Sequence, residues 1–403
     1  MVGKLQRGGW FTWGNDALAS LGRRAEARLY GFARFRSLGR AKARPYNFRT
    51  APAQARRKTS IQRPDNDRQR ACSGGAIAIK CARRYNTFVC TADQPLFEAS
   101  RTTVYPHPFS YHRAKTLAEA SKLLQELGEE SRVLAGGQSL IPLMKMRLAR
   151  PTALIDINFV PGLSDIQNHN GGLRLGALAR HTELEMSEAV AAVPILHDCA
   201  AGIADVQVRN QGTIGGSLAE ADPSGDWGAA LLALDTSVVC VGPKGERSVK
   251  LEDFVKDAYT TVLAHEELVR EVIVKKPARN SGGSYLAFKR SAPVYATASA
   301  AVQVTLEGKD ICKEIRIVLG CVGLMAIRAK NAEGELRGKK IDGKAIQRAA
   351  EAAREAAEPQ SDMRGSAEYK RVLVAALVKR ALAIAVQRAR GERVEAGHEY
   401  AGR

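Results

Sequence analysis

The clearest candidates for ligand binding in this sequence are two glycine pairs. They lie in AlaGlyGlyGlnSerLeu at 135–140 and in ThrIleGlyGlySerLeu at 213–218. Because glycine has no Cβ, the backbone at each pair can adopt left-handed angles and come close to a bulky ligand. Successive N–H groups can then converge on a phosphate, and the polar side chain that follows each pair can add a donor. Two such loops could hold the two phosphoryl groups of a diphosphate.

Other common sites are disfavoured by residue spacing. Neither glycine pair matches GxGxxG or GxxxxGK, which argues against a Rossmann unit or a P-loop, and a GlyGly dipeptide alone is usually a plain turn. The histidines show no metal-ligand spacing, and the seven cysteines form no CxxC pair, so we expect neither a metal site nor a catalytic residue in this chain. Reduced thiols of this kind are typical of a cytoplasmic protein. No apolar run reaches the roughly 20 residues that cross a bilayer.

The segments that must position the glycine pairs predict an α+β protein. Thr116 and Glu119 form a capping box that begins a helix, and Gly128 ends it. A strand at 132–135 runs directly into the first pair, and a second capping box, Thr182 with Glu185, is predicted to open the helices before the second pair. The remaining predicted elements are strands at 153–157, 238–241, 250–251, 284–289, 299–306 and 313–319, a hairpin of 163–167 with 173–178, and helices at 227–234, 343–357 and 367–388.

Most of the positive charge lies in the first quarter of the chain. Residues 1–103 carry 21 Lys/Arg and 6 Asp/Glu, a net charge of +15, whereas residues 104–403 carry 40 and 36. Residues 1–103 show no sustained periodicity of apolar residues that would indicate a helix or a strand. This segment is interpreted as a basic arm for nucleic acid, as a disordered extension, or as translated upstream sequence that is not native protein, and we favour the last of these.

Five blocks in a fixed order carry a resemblance to a known family. From Val104 to about Arg390 the chain resembles the medium subunits of aerobic carbon monoxide dehydrogenases and the flavin domain of xanthine dehydrogenases. The blocks are FSYHR at 109–113, LAGGQSLIPLMKMRLARP at 134–151, IADVQVRNQGTIGGSLAEADPSGDW at 203–227, FKRSAPVYATASAAV at 288–302 and PQSDMRGSAEYKR at 359–371.

The resemblance implies a fold and its division into domains. The family has an FAD-binding domain of the vanillyl-alcohol-oxidase (PCMH) type made of two α+β parts, which implies parts at 104–159 and 160–279 here. A small C-terminal flavoprotein domain with a three-stranded antiparallel sheet and helices follows at 280–395.

The resemblance also implies FAD as the cofactor and a set of binding residues. Gln138 stands where the family often has His, and Ser217 where it often has Asn, so we expect altered flavin contacts with binding retained. Without the resemblance, Asp226 is as easily interpreted as a helix cap. Tyr295 would be predicted to be a core residue, and Lys289 would be predicted to lie at a solvated edge of a sheet. The implied FAD-binding residues are Val133, Leu134, Ala135, Gly136, Gly137, Gln138, Ser139, Leu140, Ile203, Thr213, Ile214, Gly215, Gly216, Ser217, Asp226, Val269, Lys289 and Tyr295.

The implied function is electron transfer within a complex. A molybdopterin-binding large subunit would oxidise the substrate, and two [2Fe–2S] clusters on a small subunit would pass electrons to FAD here and on to an external acceptor. The three subunits would form a dimer of heterotrimers. Two alternatives stay open: a self-contained flavin oxidase or dehydrogenase of the same superfamily, and a nucleic-acid-binding protein that acts through the basic arm.

Overall fold

The computed structural model describes residues 105–397, together with the backbone of residues 399 and 400. The hypotheses for residues 1–103 therefore lie outside the described residues. Along the described chain three parts follow one another, each built on its own main sheet. Within this range no helix combines the length and the apolar character needed to cross a membrane.

The first part is a parallel sheet of three strands with a helix packed on it. Its elements are β1 (Ser110–Arg113), α1 (Leu117–Leu127), β2 (Ser131–Leu134), α2 (Leu140–Lys145) and β3 (Ala153–Asp156). The predicted caps of α1 are confirmed: Thr116 Oγ1 accepts the Glu119 N–H at 3.1 Å, and Gly128 ends the helix with a φ of 71°. Since β2 pairs in parallel with β3, the carboxyl ends of both strands lie at the same edge of the sheet. The first glycine pair leaves the sheet at this edge.

The second part is an antiparallel sheet with a series of short helices. Its strands are β4 (Ile166–His169), β5 (Gly172–Gly176), β6 (Thr236–Gly242), β7 (Gly245–Lys250) and β10 (Leu268–Lys275), in the spatial order β4-β5-β10-β6-β7, with β8 (Val255–Asp257) and β9 (Thr260–Thr261) as a separate pair. Its helices are α3 (His181–Met186), α4 (Glu188–Ala191), α5 (Pro194–Gly202), α6 (Val206–Gln211), α7 (Ile214–Glu220), α8 (Asp226–Leu232) and α9 (Leu251–Phe254). Trp227 and Phe254 are fully buried in the core that joins helices and sheet.

The third part is a sheet covered by two long helices. Its elements are β11 (Ser281–Lys289), β12 (Ala298–Glu307), β13 (Ile311–Gly320), β14 (Ile327–Arg328), α10 (Lys330–Gly334), α11 (Gly343–Ala356), α12 (Ala367–Ala389) and β15 (Glu399–Tyr400). The three long antiparallel strands that the sequence predicts are confirmed, and the two-residue strands β14 and β15 extend the sheet at its edges. Gly282 lets α12 approach β11 closely, because a Cβ there would overlap the Ala385 carbonyl oxygen.

The second predicted capping box is wrong. Helix α3 begins at His181, and the Glu183 carboxylate accepts the Arg180 N–H at 2.8 Å. Thr182 lies inside the helix, and its buried hydroxyl has no hydrogen-bond partner within the described chain. An antiparallel bridge between Arg180 and Thr213 fixes residue 180 in an extended conformation. The helix therefore starts directly after this bridge, two residues before the start that the sequence pattern suggests.

Candidate functional site

The first glycine loop joins β2 to α2 and turns through Gly137, whose φ is +71°. Across the described part of the chain, no group accepts a hydrogen bond from the backbone N–H groups of residues 136–139. Backbone N–H groups are strong donors that proteins rarely leave without a partner. Four consecutive free donors on one tight turn form a concave arrangement that suits an anion such as a phosphate.

The carbonyl side of this loop is held by a polar network behind it. Asn158 Nδ2 donates to the Ala135 carbonyl oxygen at 2.9 Å and to Asp156 Oδ1 at 2.7 Å. Arg180 Nη2 in turn donates to Asn158 Oδ1 at 2.7 Å, and Tyr111 donates its hydroxyl proton to Asp156 Oδ2. Since Asn158 fixes the carbonyl of the residue before the glycine pair, the N–H groups that follow are left free. Asn158 is thus a positioning residue for the loop.

Replacement of Asn158 by alanine is expected to raise the dissociation constant for FAD about tenfold, because the loop loses the bond that fixes its backbone direction. Flavin fluorescence titration of the deflavinated full-length protein measures this constant. Asn168→Ala on β4 is the matched control, since Asn168 is exposed and no hydrogen bond to its side chain is found among the described residues. Equal affinities of the Asn158→Ala variant and the wild type would refute the positioning role.

The second glycine loop differs from the first in its hydrogen bonds. Its N–H groups are already used inside the chain: Ile214 donates to the Ala177–Ala179 segment, as does Gly215, and the Gly216 N–H donates to Thr213 Oγ1 at 3.1 Å. The expectation that both pairs offer free N–H groups therefore needs correction. Helix α7 starts in this loop with Thr213 as its N-cap, and the Ser217 N–H donates to the Thr213 carbonyl oxygen at 3.0 Å. Gly215 is needed for close packing, because a Cβ there would lie 2.5 Å from the Ala177 Cβ.

The two loops meet at the first glycine of the first pair. A Cβ on Gly136 would overlap the Gln211 carbonyl oxygen and lie 2.9 Å from Gly212 Cα, so only glycine allows this approach. Arg180 also joins the loops, because its Nη1 donates to the Gln211 carbonyl oxygen while its Nη2 holds Asn158.

A cleft with a volume of about 320 Å³ opens where the loops meet. Clefts of roughly 300–1,000 Å³ are usual for small-molecule and cofactor sites. Fourteen of the eighteen residues implied by the resemblance line it: Val133, Ala135, Gly136, Gly137, Gln138, Ser139, Leu140, Ile203, Thr213, Gly216, Ser217, Asp226, Lys289 and Tyr295.

The other four implied residues do not line the cleft. Ile214 is fully buried in the core beneath the second loop, and Gly215 packs against Ala177. Val269 lies on β10, where it pairs with Cys240 and is buried in the core of the second part. Leu134 is the last residue of β2, and its side chain lies beside Gly137, where a Cβ would come within 3.2 Å of Leu134 Cδ1.

A buried polar cluster forms one wall of the cleft. Tyr285 donates its hydroxyl proton to Asp226 Oδ1 at 2.6 Å, and Lys289 Nζ lies 3.9 Å from Asp226 Oδ2. Lys289 is 1% exposed and also donates to the Gly202 carbonyl oxygen, so its interpretation as a solvated edge residue is wrong. Burial and the adjacent Asp226 carboxylate raise the pKa of Tyr285 well above its ordinary value. The tyrosine therefore stays protonated and acts as a fixed donor to Asp226.

Tyr295 stands at the mouth of the cleft beside two carboxylates. Its side chain is 50% exposed, so it is not the core residue that its apolar surroundings in the sequence suggest. Burial and the neighbouring Asp222 raise its pKa. Burial and the same Asp222 raise the pKa of Glu220, which also lines the cleft. An accessible aromatic ring at the mouth offers a face on which a planar ring system could stack.

Nine residues of the cleft were not among the implied set: His181, Ala204, Val208, Gly212, Glu220, Asp222, Gly225, Pro293 and Val294. All except His181 fall inside the sequence blocks at 203–227 and 288–302, so these residues could have been predicted from the blocks. His181 lies outside the blocks. Only its buried position in the structure identifies it as part of the cleft.

The donor set of the cleft fits FAD. The free N–H groups of the first loop suit a diphosphate, and Tyr295 suits the planar ring system. The two loops also approach each other at Gly216, where a Cβ would lie 3.9 Å from the Ala135 Cβ.

Comparisons with known proteins agree with this fit. Residues 107–277 match the family model described as the FAD binding domain in molybdopterin dehydrogenase, and residues 283–385 match the model of the CO dehydrogenase flavoprotein C-terminal domain. The carbon monoxide dehydrogenase medium chain of Hydrogenophaga pseudoflava is 40% identical over 278 residues, which are 69% of this chain and 96% of that one.

A second relative and a solved structure extend this similarity. The 6-hydroxypseudooxynicotine dehydrogenase complex subunit alpha of Paenarthrobacter nicotinovorans is 37% identical over 73% of this chain and 99% of its own length. The structure of carbon monoxide dehydrogenase from Hydrogenophaga pseudoflava that lacks the Mo-pyranopterin moiety superposes with a TM-score of 0.69 at 41% identity, covering 70% of this chain and 99% of that one. The chain therefore belongs to the family of FAD-binding medium subunits of molybdenum hydroxylases.

Proposed function

We propose that this chain takes electrons from [2Fe–2S] clusters on a small partner subunit and delivers them, through FAD, to an external acceptor. A molybdopterin-binding large subunit would oxidise the substrate, and the three subunits would assemble as a dimer of heterotrimers. The observation that carries the proposal is one cleft lined both by the first glycine loop, with its free N–H groups, and by Tyr295 and Asp226.

The residues of the cleft would bind and orient the cofactor. When bound, FAD supplies the redox chemistry of the subunit, namely the exchange of electrons. The first loop would hold the diphosphate and Tyr295 would contact the ring system, while Tyr285 and Lys289 keep Asp226 in place. None of these roles requires a general base or a nucleophile from the chain.

Assembly with partners is supported by the relatives and by the surface. The relatives are medium chains or subunits of complexes. The segment that follows the first loop exposes Ile141, Met146 and Leu148, of which Leu148 is 72% exposed. Large apolar side chains exposed together are typical of surfaces that a partner protein covers.

In our proposal, another subunit of the complex determines which substrate is oxidised. Relatives with 40% and 37% identity to this chain are subunits of a carbon monoxide dehydrogenase and of a 6-hydroxypseudooxynicotine dehydrogenase complex, two enzymes named for very different substrates. A common flavin subunit can serve both only if substrate recognition lies on another subunit.

Removal of FAD from the complex, purified from its native host, tests the route of the electrons. After addition of less than one equivalent of dithionite, we expect the iron–sulfur signal in electron paramagnetic resonance to persist. Transfer to an artificial acceptor dye should be lost, and it should return when FAD is added. Unchanged dye reduction by the FAD-free complex would refute this route. Substrate oxidation by the isolated chain would instead favour a self-contained flavin enzyme.

A further inference from the structure

His181 is a cleft residue to which neither the sequence blocks nor the proposed function gives a role. It is 5% exposed and occupies the first position of helix α3, where its N–H donates to the Gly212 carbonyl oxygen at 3.2 Å. The imidazole therefore lies on the wall of the cleft, beside the segment that leads into the second glycine loop.

Trp227 determines which nitrogen of His181 carries the proton. The indole Nε1–H lies 3.1 Å from His181 Nδ1 in a buried contact. An indole N–H can only donate a hydrogen bond, so Nδ1 must accept it and must be unprotonated. The proton of the neutral ring is then on Nε2, because the other ring nitrogen is fixed as the acceptor.

The Nε2–H group of His181 has no acceptor among the described residues. It lies close to Gly212: a Cβ on this residue would come within 2.7 Å of Nε2, so any side chain at position 212 would crowd the donor. Gly212 also contacts Gly136 of the first glycine loop. The unused donor is therefore next to the free N–H groups of that loop, on the wall of the same cleft, where a ligand could supply an acceptor.

We propose that the Nε2–H group of His181 donates a hydrogen bond to the diphosphate of FAD, and that Trp227 holds the ring in the tautomer that this bond requires. The inference rests on FAD as the occupant of the cleft. Burial, together with the nearby Arg180 and Arg209, lowers the pKa of His181 to about 4. The ring is therefore neutral near neutral pH and contributes a donor without a charge.

Two substitutions separate the donor role from the contact with Trp227. In His181→Asn the side-chain oxygen can take the place of Nδ1 and accept from Trp227, but no donor reaches the position of Nε2. In His181→Gln the amide nitrogen reaches the position of Nε2 and can donate, while Trp227 loses its acceptor. FAD and ADP, which shares the diphosphate but has no flavin ring, are the two probes. Both are titrated into deflavinated full-length protein, FAD by fluorescence and ADP by competition.

We expect His181→Asn to raise the dissociation constants of both FAD and ADP about tenfold, and His181→Gln to leave both within about threefold of the wild type. A larger loss in His181→Gln than in His181→Asn would overturn the proposal, because the contact with Trp227 would then be the important one. Weaker binding of FAD with unchanged binding of ADP would overturn the assignment to the diphosphate. If the wild type itself binds no FAD, the proposed function fails and not this inference alone.

Discussion

Gly136→Ala is expected to raise the dissociation constant for FAD about a hundredfold. The added Cβ would overlap the Gln211 carbonyl oxygen and crowd Gly212 Cα, and both of these are backbone atoms that cannot rotate away. Such overpacking costs roughly 1–3 kcal/mol, and here the strain is relieved only if the two loops move apart and open the cleft. Flavin fluorescence titration of the full-length apoprotein gives the constant.

Gly343→Ala is the matched control for this substitution. Gly343 is the first residue of α11, has no neighbouring atom within 4 Å of a built Cβ, and does not adopt a positive φ. We expect this variant to bind FAD as the wild type does and to unfold at the same or a slightly higher temperature. If Gly136→Ala bound FAD with wild-type affinity, the close approach of the loops would be irrelevant to the site.

Arg388→Met is expected to lower the free energy of unfolding by about 3–5 kcal/mol. Arg388 reaches from the end of α12 to Asp198 on α5, where its two terminal nitrogens lie 2.6 and 3.1 Å from the carboxylate oxygens. It also donates to the Gly283 and Val394 carbonyl oxygens. Without the guanidinium, Asp198 would be a buried carboxylate that keeps, among the described residues, a single hydrogen bond from the Tyr285 N–H. Chemical denaturation monitored by circular dichroism measures the loss.

The effect of this substitution should depend on pH in a defined direction. Burial already raises the pKa of Asp198, although Arg388 opposes the shift. In the folded Arg388→Met variant the pKa of Asp198 should rise further, so that folding is coupled to the uptake of a proton by this carboxylate. The stability of the variant relative to the wild type should therefore increase as the pH falls from neutral. Arg390→Met is the control, because Arg390 pairs with Asp310 at an exposed site and should cost at most about 1 kcal/mol. Equal losses in the two variants would contradict the importance of the buried pair.

The sequence predicts the elements around the site well where local chemistry determines them. Thr116 and Gly128 mark the ends of α1 because a hydroxyl cap and a left-handed glycine act within a few residues. The second capping box fails because the start of α3 is fixed by the bridge between Arg180 and Thr213, which are distant in the sequence.

The interpretation of Lys289 as a solvated edge residue fails for a similar reason. Strand β11 is covered by α12 and by α5, so alternation of apolar and polar residues does not identify an exposed face. The charge of Lys289 is compensated by Asp226, which is 63 residues away and lies in another block of the sequence. Pairing of this kind depends on tertiary structure and leaves no local pattern.

The two glycine loops show the same limit at the level of the backbone. Both sequences have a glycine pair followed by a polar residue, but the N–H groups of the second loop are consumed by Ala177, Ala179 and Thr213. Only the fold reveals that one loop is a donor surface and that the other is chiefly a packing surface. The role of His181 cannot be predicted from the sequence for the same reason, because its tautomer depends on the contact with Trp227.

Amide hydrogen exchange of the full-length protein, with and without FAD, tests most directly whether the first glycine loop binds the diphosphate. The N–H groups of residues 136–139 have no partner in the described chain, so they should exchange fast in the apoprotein and much more slowly with FAD bound. Peptides that cover residues 214–217 should change less, since the N–H groups of these residues are already bonded. Unchanged exchange at residues 136–139 under saturating FAD would contradict the account.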